Sequence, residues 1–231
     1  MQKGWVAIAG NAGEATADSM YEGTVYVAGE IASLGNDTVV SDATDDEQRA
    51  FVAWVCQRLL QALNVSNRLD EFSAADHEPP DVLFRDARFE VFFVLDEGRR
   101  LNDEWRAELE RRRSAFSLSQ LVRREAKPRR IAAAELQQRL TPTLRKKAHN
   151  YKERGLDLGE LDLLAYVNLK RAVPDFNSHF PPPTEFLRQG WRSLSLVGPS
   201  FARVLFAHPD APDFLRNNLG RTTLFDIGIS L

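Results

Sequence analysis

The sequence predicts an α/β fold: a mixed β-sheet flanked by helices, with a short β-solenoid-like appendage at the N-terminus. Three observations carry that expectation. Apolar residues between 45 and 63 recur at helical spacing. The later segment "RFEVFFVL" is β-branched and aromatic on both faces, as a central strand requires. Before either, residues 1–45 hold 6 of the 13 glycines and an internal echo, "VAIAG" at 6–10 returning as "VYVAG" at 25–29. A 19-residue step with glycines at its corners is about one coil of a solenoid. The expected division is therefore residues 1–45 as appendage and 46–231 as one α/β domain. A chain of 231 residues with 43% hydrophobic content can build one sizeable core.

The elements follow in order. "SDATDDEQ" (41–48) is a polar joint rich in N-cap residues. Phe51, Trp54, Val55, Leu59 and Ala62 then share a broad face, which predicts a helix over 45–63. A weak strand is expected near 65–72 and another over 82–84, after the Pro79-Pro80 breaker. Residues 100–125 read as a charged helix that packs through Leu101, Trp105, Leu109 and Phe116 and ends by Pro128. A further helix is expected over 132–153, with Pro142 opening its main part or kinking it. "ELDLLAYVNL" reads as a strand, with helix as its competitor. "VPDFNSHFPPPTEF" reads as a proline-rich loop, and "SLSLVG" and "ARVLFAH" as a hairpin-like pair. "APDFLRNNLG" is a short helix closed by Gly220, and "TTLFDIGISL" a terminal strand.

Charge is unevenly spread. The net charge is only -3, yet residues 1–97 carry -12 and residues 98–154 carry +10. A basic helical region beside an acidic one points to a phosphate-rich partner, DNA or RNA. The competing expectation is that the two regions neutralise each other, within one chain or between the subunits of a homo-oligomer. The single cysteine, Cys56, cannot form an intrachain disulfide and sits in an apolar helical segment, where it reads as a small buried hydrophobe. That favours a reducing, cytoplasmic setting. No apolar run is long enough to cross a membrane, and the N-terminus lacks the basic and apolar regions of a signal peptide. His77, His149, His179 and His208 show no metal-ligand spacing. Phosphate-loop, dinucleotide-binding and nucleophile-elbow signatures do not occur.

One constellation carries chemistry. In "EPPDVLFRDARFEVFFVLDEGRR" two short strands bear Asp81 and Glu90, nine residues apart. Carboxylates on neighbouring strands can converge on one sheet edge and hold Mg²⁺ against a phosphodiester. Side chains alternate along a strand, so Glu90 shares its face with Phe92 and Val94. A carboxylate among such neighbours is costly unless satisfied. The candidates are a cation, Arg85, Arg88 or backbone amides. This is the layout PD…(D/E)xK of metal-dependent nucleases, except that Phe92 stands where the pattern has its lysine. Phenylalanine can neither orient nor deprotonate a water. "LRKKAHNYKER" offers substitutes, above all Lys147, which lies four residues and thus one helix face from Tyr151.

Two family resemblances add to these readings. "WVCQRLLQALNV", "EPPDVLFRDARFEVFFVLDEGRRLNDEW", "LRKKAHNY", "FPPPTEFLRQGWRSLSLVGPSFARVLFAHPDAPDFLRNN" and "LFDIGISL" make residues from about 54 to 231 resemble a bacterial family of unknown function described as endonucleases. The likeness implies a restriction-endonuclease-like core. It implies Asp81 and Glu90 as catalytic metal ligands; with the motif lysine absent, the helix reading above makes Lys147 the expected catalytic base. Arg99, Arg100, Arg145 and Lys146 are the expected contacts to nucleic acid. Separately, "GNAGEATADSMYEGTVYVAGEIASLG" resembles part of the GXGXG domain that ends the large subunit of glutamate synthases, a right-handed β-helix. There it is mainly a structural spacer. The expected function is nucleic-acid binding with weak or absent Mg²⁺-dependent hydrolysis. The alternative is a non-catalytic protein-interaction domain.

Overall fold

A computed structural model describes residues 4–8, 12–14, 16–17, 23–27, 31–33, 45–99 and 128–225. The helix expected over 100–125 lies outside them, as does Arg100. Near the N-terminus, β1 (Gly4–Ile8) and β2 (Gly23–Val27) pair in parallel as a two-stranded sheet of their own. Gly4 stands opposite Gly23 and Ile8 opposite Val27, the same 19-residue step as the sequence echo.

The main sheet has seven strands. They are β3 (Phe72–Ser73), β4 (Val82–Phe84), β5 (Ala87–Leu95), β7 (Asp162–Asn168), β9 (Ser193–Val197), β10 (Phe201–Ala207) and β11 (Thr222–Leu224). Their spatial order is β11-β10-β9-β7-β5-β4-β3. The three central strands β5, β7 and β9 run parallel, and antiparallel strands flank them on both sides. A parallel neighbour requires a crossover. Between β5 and β7 the chain includes the long helix α2 (Ala133–Glu153).

Strand alternation divides the core in two. Phe89 and Val91 of β5, with Leu164 and Tyr166 of β7, pack beneath α1 (Asp45–Ala62) through Val55, Cys56, Leu59 and Leu60. Phe92 and Val94, with Leu163 and Ala165, pack on the other face against Leu136, Leu140, Leu144 and Ala148 of α2. That i, i+4 row is the apolar stripe α2 needs to lie on a sheet. Pro142 sits inside α2 on its exposed side, and the Thr141 hydroxyl donates to the Gln137 carbonyl at 2.9 Å. The helix ends by a Schellman closure. Gly155, at φ 73°, donates to Lys152 O, and Leu156 donates to Tyr151 O.

Several expectations need correcting. The strand expected near 65–72 is irregular chain over 65–68, then a 3-10 turn (Leu69–Glu71) and the start of the two-residue β3 (Phe72–Ser73). Glu71 accepts from the Arg68 backbone N–H at 2.6 Å, which favours the turn. The proline-rich loop contains β8 (Ala172–Asp175) and begins α3 (Thr184–Gln189). Parallel to β8 runs β6 (Arg129–Ala132), a four-residue strand too short and too charged to show alternation. "ELDLLAYVNL" is the fully buried strand β7, and α4 is the single turn Asp213–Arg216.

Buried charges clamp both ends of the parallel strands. Asp162, at the start of β7, is wholly buried. Its carboxylate accepts from Arg88 N (3.0 Å), Ser193 Oγ (2.7 Å) and both Nε and Nη2 of Arg192, joining β5, β7 and β9. At the other end, Asp96 Oδ2 accepts from Lys170 N at 2.7 Å and Arg171 N at 3.2 Å.

Candidate functional site

The hairpin β4–β5 turns in two residues, with Arg85 at φ 53°. Left-handed backbone matches the twist of a tight hairpin, although arginine is an unusual occupant. Its guanidinium is held by Ser66 O (2.8 Å) and Glu71 (3.1 Å). The turn sets the register in which Val82 faces Phe89, and Asp81 is the residue that enters β4 just before that pair. The Asp81 N–H donates to Phe89 O at 2.9 Å, an irregular contact that ties Asp81 to β5 at the end of the ladder. Glu90 alternates with Phe89 and Val91 and so faces α2, and the Asp81 carboxylate, close enough to feel both Glu90 and Lys147, lies beside it. Two carboxylates therefore lie side by side. β3 pairs only with Leu83 and Phe84, so Asp81 lies past its end.

α2 completes the cluster. Lys147 forms an ion pair with Glu90 Oε1, and the Tyr151 hydroxyl donates to the same oxygen at 2.5 Å. Lys147 Nζ also donates to Tyr151 Oη at 3.0 Å. Glu90 is only 4% exposed, so its charge needs this cation. Arg85 and Arg88 do not supply it: the first is bound to Glu71 and the second to Glu160. The site is thus built from two segments 57 residues apart.

Electrostatics mark Asp81 as the stressed member. Burial and then the neighbouring Glu90 push its carboxyl up to about 6, against opposing effects from the Val91 N–H and Lys147. The Tyr151 phenol is pushed above its ordinary range by burial and by Glu90. Asp81 Oδ2 accepts from Val91 N at 2.7 Å. Among the described residues no hydrogen bond reaches Asp81 Oδ1 or Glu90 Oε2. Two neighbouring carboxylates, each with one oxygen that no hydrogen bond reaches, suit a hard, oxygen-seeking divalent cation. Among the described residues no group of three or more His, Cys, Asp and Glu side chains gathers for a metal. Asp81 and Glu90 would accordingly be the protein's share of a shell completed by water or phosphate, as Mg²⁺ commonly accepts.

The other expected contacts do not join this cluster. Arg99 lies past the far end of β5, where it donates to Asn168 O at 2.5 Å. Five strand residues separate Glu90 from Leu95, about 17 Å, so Arg99 belongs to the opposite end of the sheet. Arg145 is exposed and paired with Glu185, and Lys146 is exposed on α2. Cys56 is a free, buried thiol, raised above its usual value by burial and then by the charge of Asp81. Sequence reasoning misses Arg154. Its guanidinium sits over the Tyr151 ring at 5.6 Å and donates to Glu78 O at 3.1 Å, on the loop entering Asp81. Its position seven residues after Lys147 was the available signal.

No helix among the described residues is long and apolar enough to cross a membrane. The profile of a family described as "Putative endonuclease, protein of unknown function (DUF1780)" matches residues 39–231. A protein of unknown function from Pseudomonas aeruginosa strain PAO1, described as belonging to the Monooxygenase Superfamily, is similar in structure. It is 61% identical, with a TM-score of 0.64 over 80% of this chain and 86% of that one. No curated protein matches. With the profile spanning the hairpin, α2 and the sheet that unites them, the chain belongs to the family of unknown function described as endonucleases.

Proposed function

We propose that this domain binds nucleic acid and hydrolyses its phosphodiesters slowly with Mg²⁺, at Asp81, Glu90, Lys147 and Tyr151. One observation carries it: an amine from α2 meets the Glu90 carboxylate beside Asp81, on the strand whose own lysine position is Phe92. The order of helix α1, strands β3 to β6, helix α2 and strand β7 among the described residues also suits a restriction-endonuclease-like core. The family's description supports the same chemistry. The description of the P. aeruginosa protein points to a different reaction, but this cluster consists of acid–base and cation-holding groups rather than redox ones.

Asp81 and Glu90 would hold Mg²⁺, which would supply neutralisation of a phosphoryl oxygen. Lys147 contributes three N–H donors, two of them engaged by Glu90 and Tyr151. The third remains to hold an attacking water or a non-bridging oxygen. Tyr151 keeps the amine in place by spending its own proton on Glu90. Phe92 closes the cluster on the core side and excludes water from behind it. Hydrolysis joins the water oxygen to phosphorus and breaks the bond to the leaving ribose oxygen. The water's proton goes to the Glu90 carboxylate, because Lys147 in the ion pair is already protonated, and the leaving ribose oxygen takes a proton from solvent; Glu90 is already committed to its contact with Lys147. That commitment makes the expected turnover slow.

The test is cleavage of labelled DNA and RNA, in single- and double-stranded form, with Mg²⁺ or Mn²⁺. Slow cleavage is expected from the unaltered protein, lost in Glu90→Gln and reduced roughly 10²–10⁴-fold in Lys147→Ala. Cleavage that persists undiminished in Glu90→Gln would refute the assignment. Binding without cleavage under every condition would leave a nucleic-acid-binding domain and remove the hydrolase.

A further inference from the structure

Lys147, Tyr151 and Arg154 occupy positions i, i+4 and i+7 of α2 and its cap, and therefore one line down the helix. The first two end on Glu90. Arg154 is exposed, and its contacts are the Glu78 carbonyl and the face of Tyr151. Neither carries a full negative charge. Among the described residues no carboxylate pairs with it, whereas Arg145 is matched to Glu185 and Arg88 to Glu160. A guanidinium held in place by a neutral acceptor and an aromatic face keeps donors and charge available for an anion. The Schellman closure at Gly155 and the bond to Glu78 hold it at the rim of the carboxylate cluster.

We propose that Arg154 is the phosphate-binding residue of this site. It takes a non-bridging oxygen of the phosphate flanking the one at Asp81, Glu90 and Lys147. Seven residues of helix span about 10 Å, which suits a flanking phosphate rather than the reacting one. The assignment rests on the phosphodiester reading above. It places the nucleic-acid strand along the Lys147–Tyr151–Arg154 line, instead of at Arg99 and Arg145. Guanidinium binds phosphate oxygens in bidentate fashion and stays charged throughout, so Arg154 anchors and does not exchange protons.

Fluorescence anisotropy with a labelled DNA oligonucleotide, single-stranded and duplex, tests this at several salt concentrations. Arg154→Ala should weaken binding roughly tenfold at low salt and shallow the log K against log salt slope by about 0.9 on duplex or about 0.7 on single strands. Arg154→Gln keeps a donor for Glu78 O but removes the charge, and should behave as the alanine variant does. Arg154→Lys should recover part of the affinity and the full slope. Arg68→Ala removes a surface charge already paired with Asp70 and should change nothing. If Arg154→Gln binds like the unaltered protein, the residue only tethers the Glu78 loop and the proposal is overturned. If both neutral variants bind normally, it is overturned while nucleic-acid binding stands. Failure of the unaltered protein to bind DNA overturns both.

Discussion

Replacing Asp81 with asparagine should stabilise the metal-free protein at neutral and alkaline pH. The carboxyl is pushed up to about 6 by burial and by Glu90, from an ordinary 3.8. A carboxyl whose folded value is raised binds its proton more tightly when folded. Below the unfolded value both states are protonated and the group is neutral in the balance. Between pH 4 and 6 a penalty builds as the folded state is made to ionise, and above pH 6 it is complete. At 1.36 kcal/mol per pH unit the full penalty is roughly 3 kcal/mol. Asparagine keeps an acceptor for the Val91 N–H and carries no charge. Urea unfolding with chelator should therefore show Asp81→Asn more stable by roughly 3 kcal/mol at pH 8, shrinking to about 0.5 kcal/mol at pH 4. Adding Mg²⁺ at pH 8 should narrow the gap by stabilising only the carboxylate form, by about 1.4 kcal/mol at ten times the dissociation constant. A difference independent of pH, or an asparagine variant less stable at pH 8, would show that Asp81 is not strained by Glu90.

Two further substitutions probe the surroundings of the site. Phe92→Lys restores the motif residue but buries an amine against Leu136, Leu140 and Leu144, so it should cost about 3 kcal/mol in urea unfolding and bring no gain in cleavage; higher activity with unchanged stability would contradict the packing. Arg192→Ala strips the cation from wholly buried Asp162 and should cost about 3–5 kcal/mol. Pairing it with Asp162→Asn should recover much of that loss, and a purely additive double variant would mean the two residues act separately.

Local chemistry made much of the fold legible. Phe51, Trp54, Val55 and Leu59 announce α1 because a helix returns to one face every three to four residues. "RFEVFFVL" announces β5 because a strand covered by helices on both sides needs no polar face. The same alternation puts Glu90 and Phe92 on one face, and helical spacing puts Lys147 beside Tyr151. Short or charged pieces were hidden. β6 has one buried residue in four, and the turn at Leu69–Glu71 depends on a side chain accepting from the backbone of Arg68.

Other facts depended on contacts between distant segments. Whether Asp81 comes to lie beside Glu90 turns on a two-residue hairpin whose left-handed residue is Arg85, held by Ser66 and Glu71. A shift of one residue would have sent one carboxylate to the α1 side. Which cation neutralises Glu90 is equally non-local. Arg85 and Arg88 are nearest along the chain, but Arg85 is held by Ser66 and Glu71 and Arg88 by Glu160. The Leu136–Leu140–Leu144–Ala148 stripe lays α2 across the sheet and delivers Lys147 from 57 residues away. Arg99 shows the converse: close to Glu90 in sequence, it is carried by an extended strand to the opposite end of the sheet. Residue type and period fix which side chains share a face. Only packing of helix on sheet decides which faces meet, because burying those apolar stripes sets the geometry that the polar groups must then satisfy.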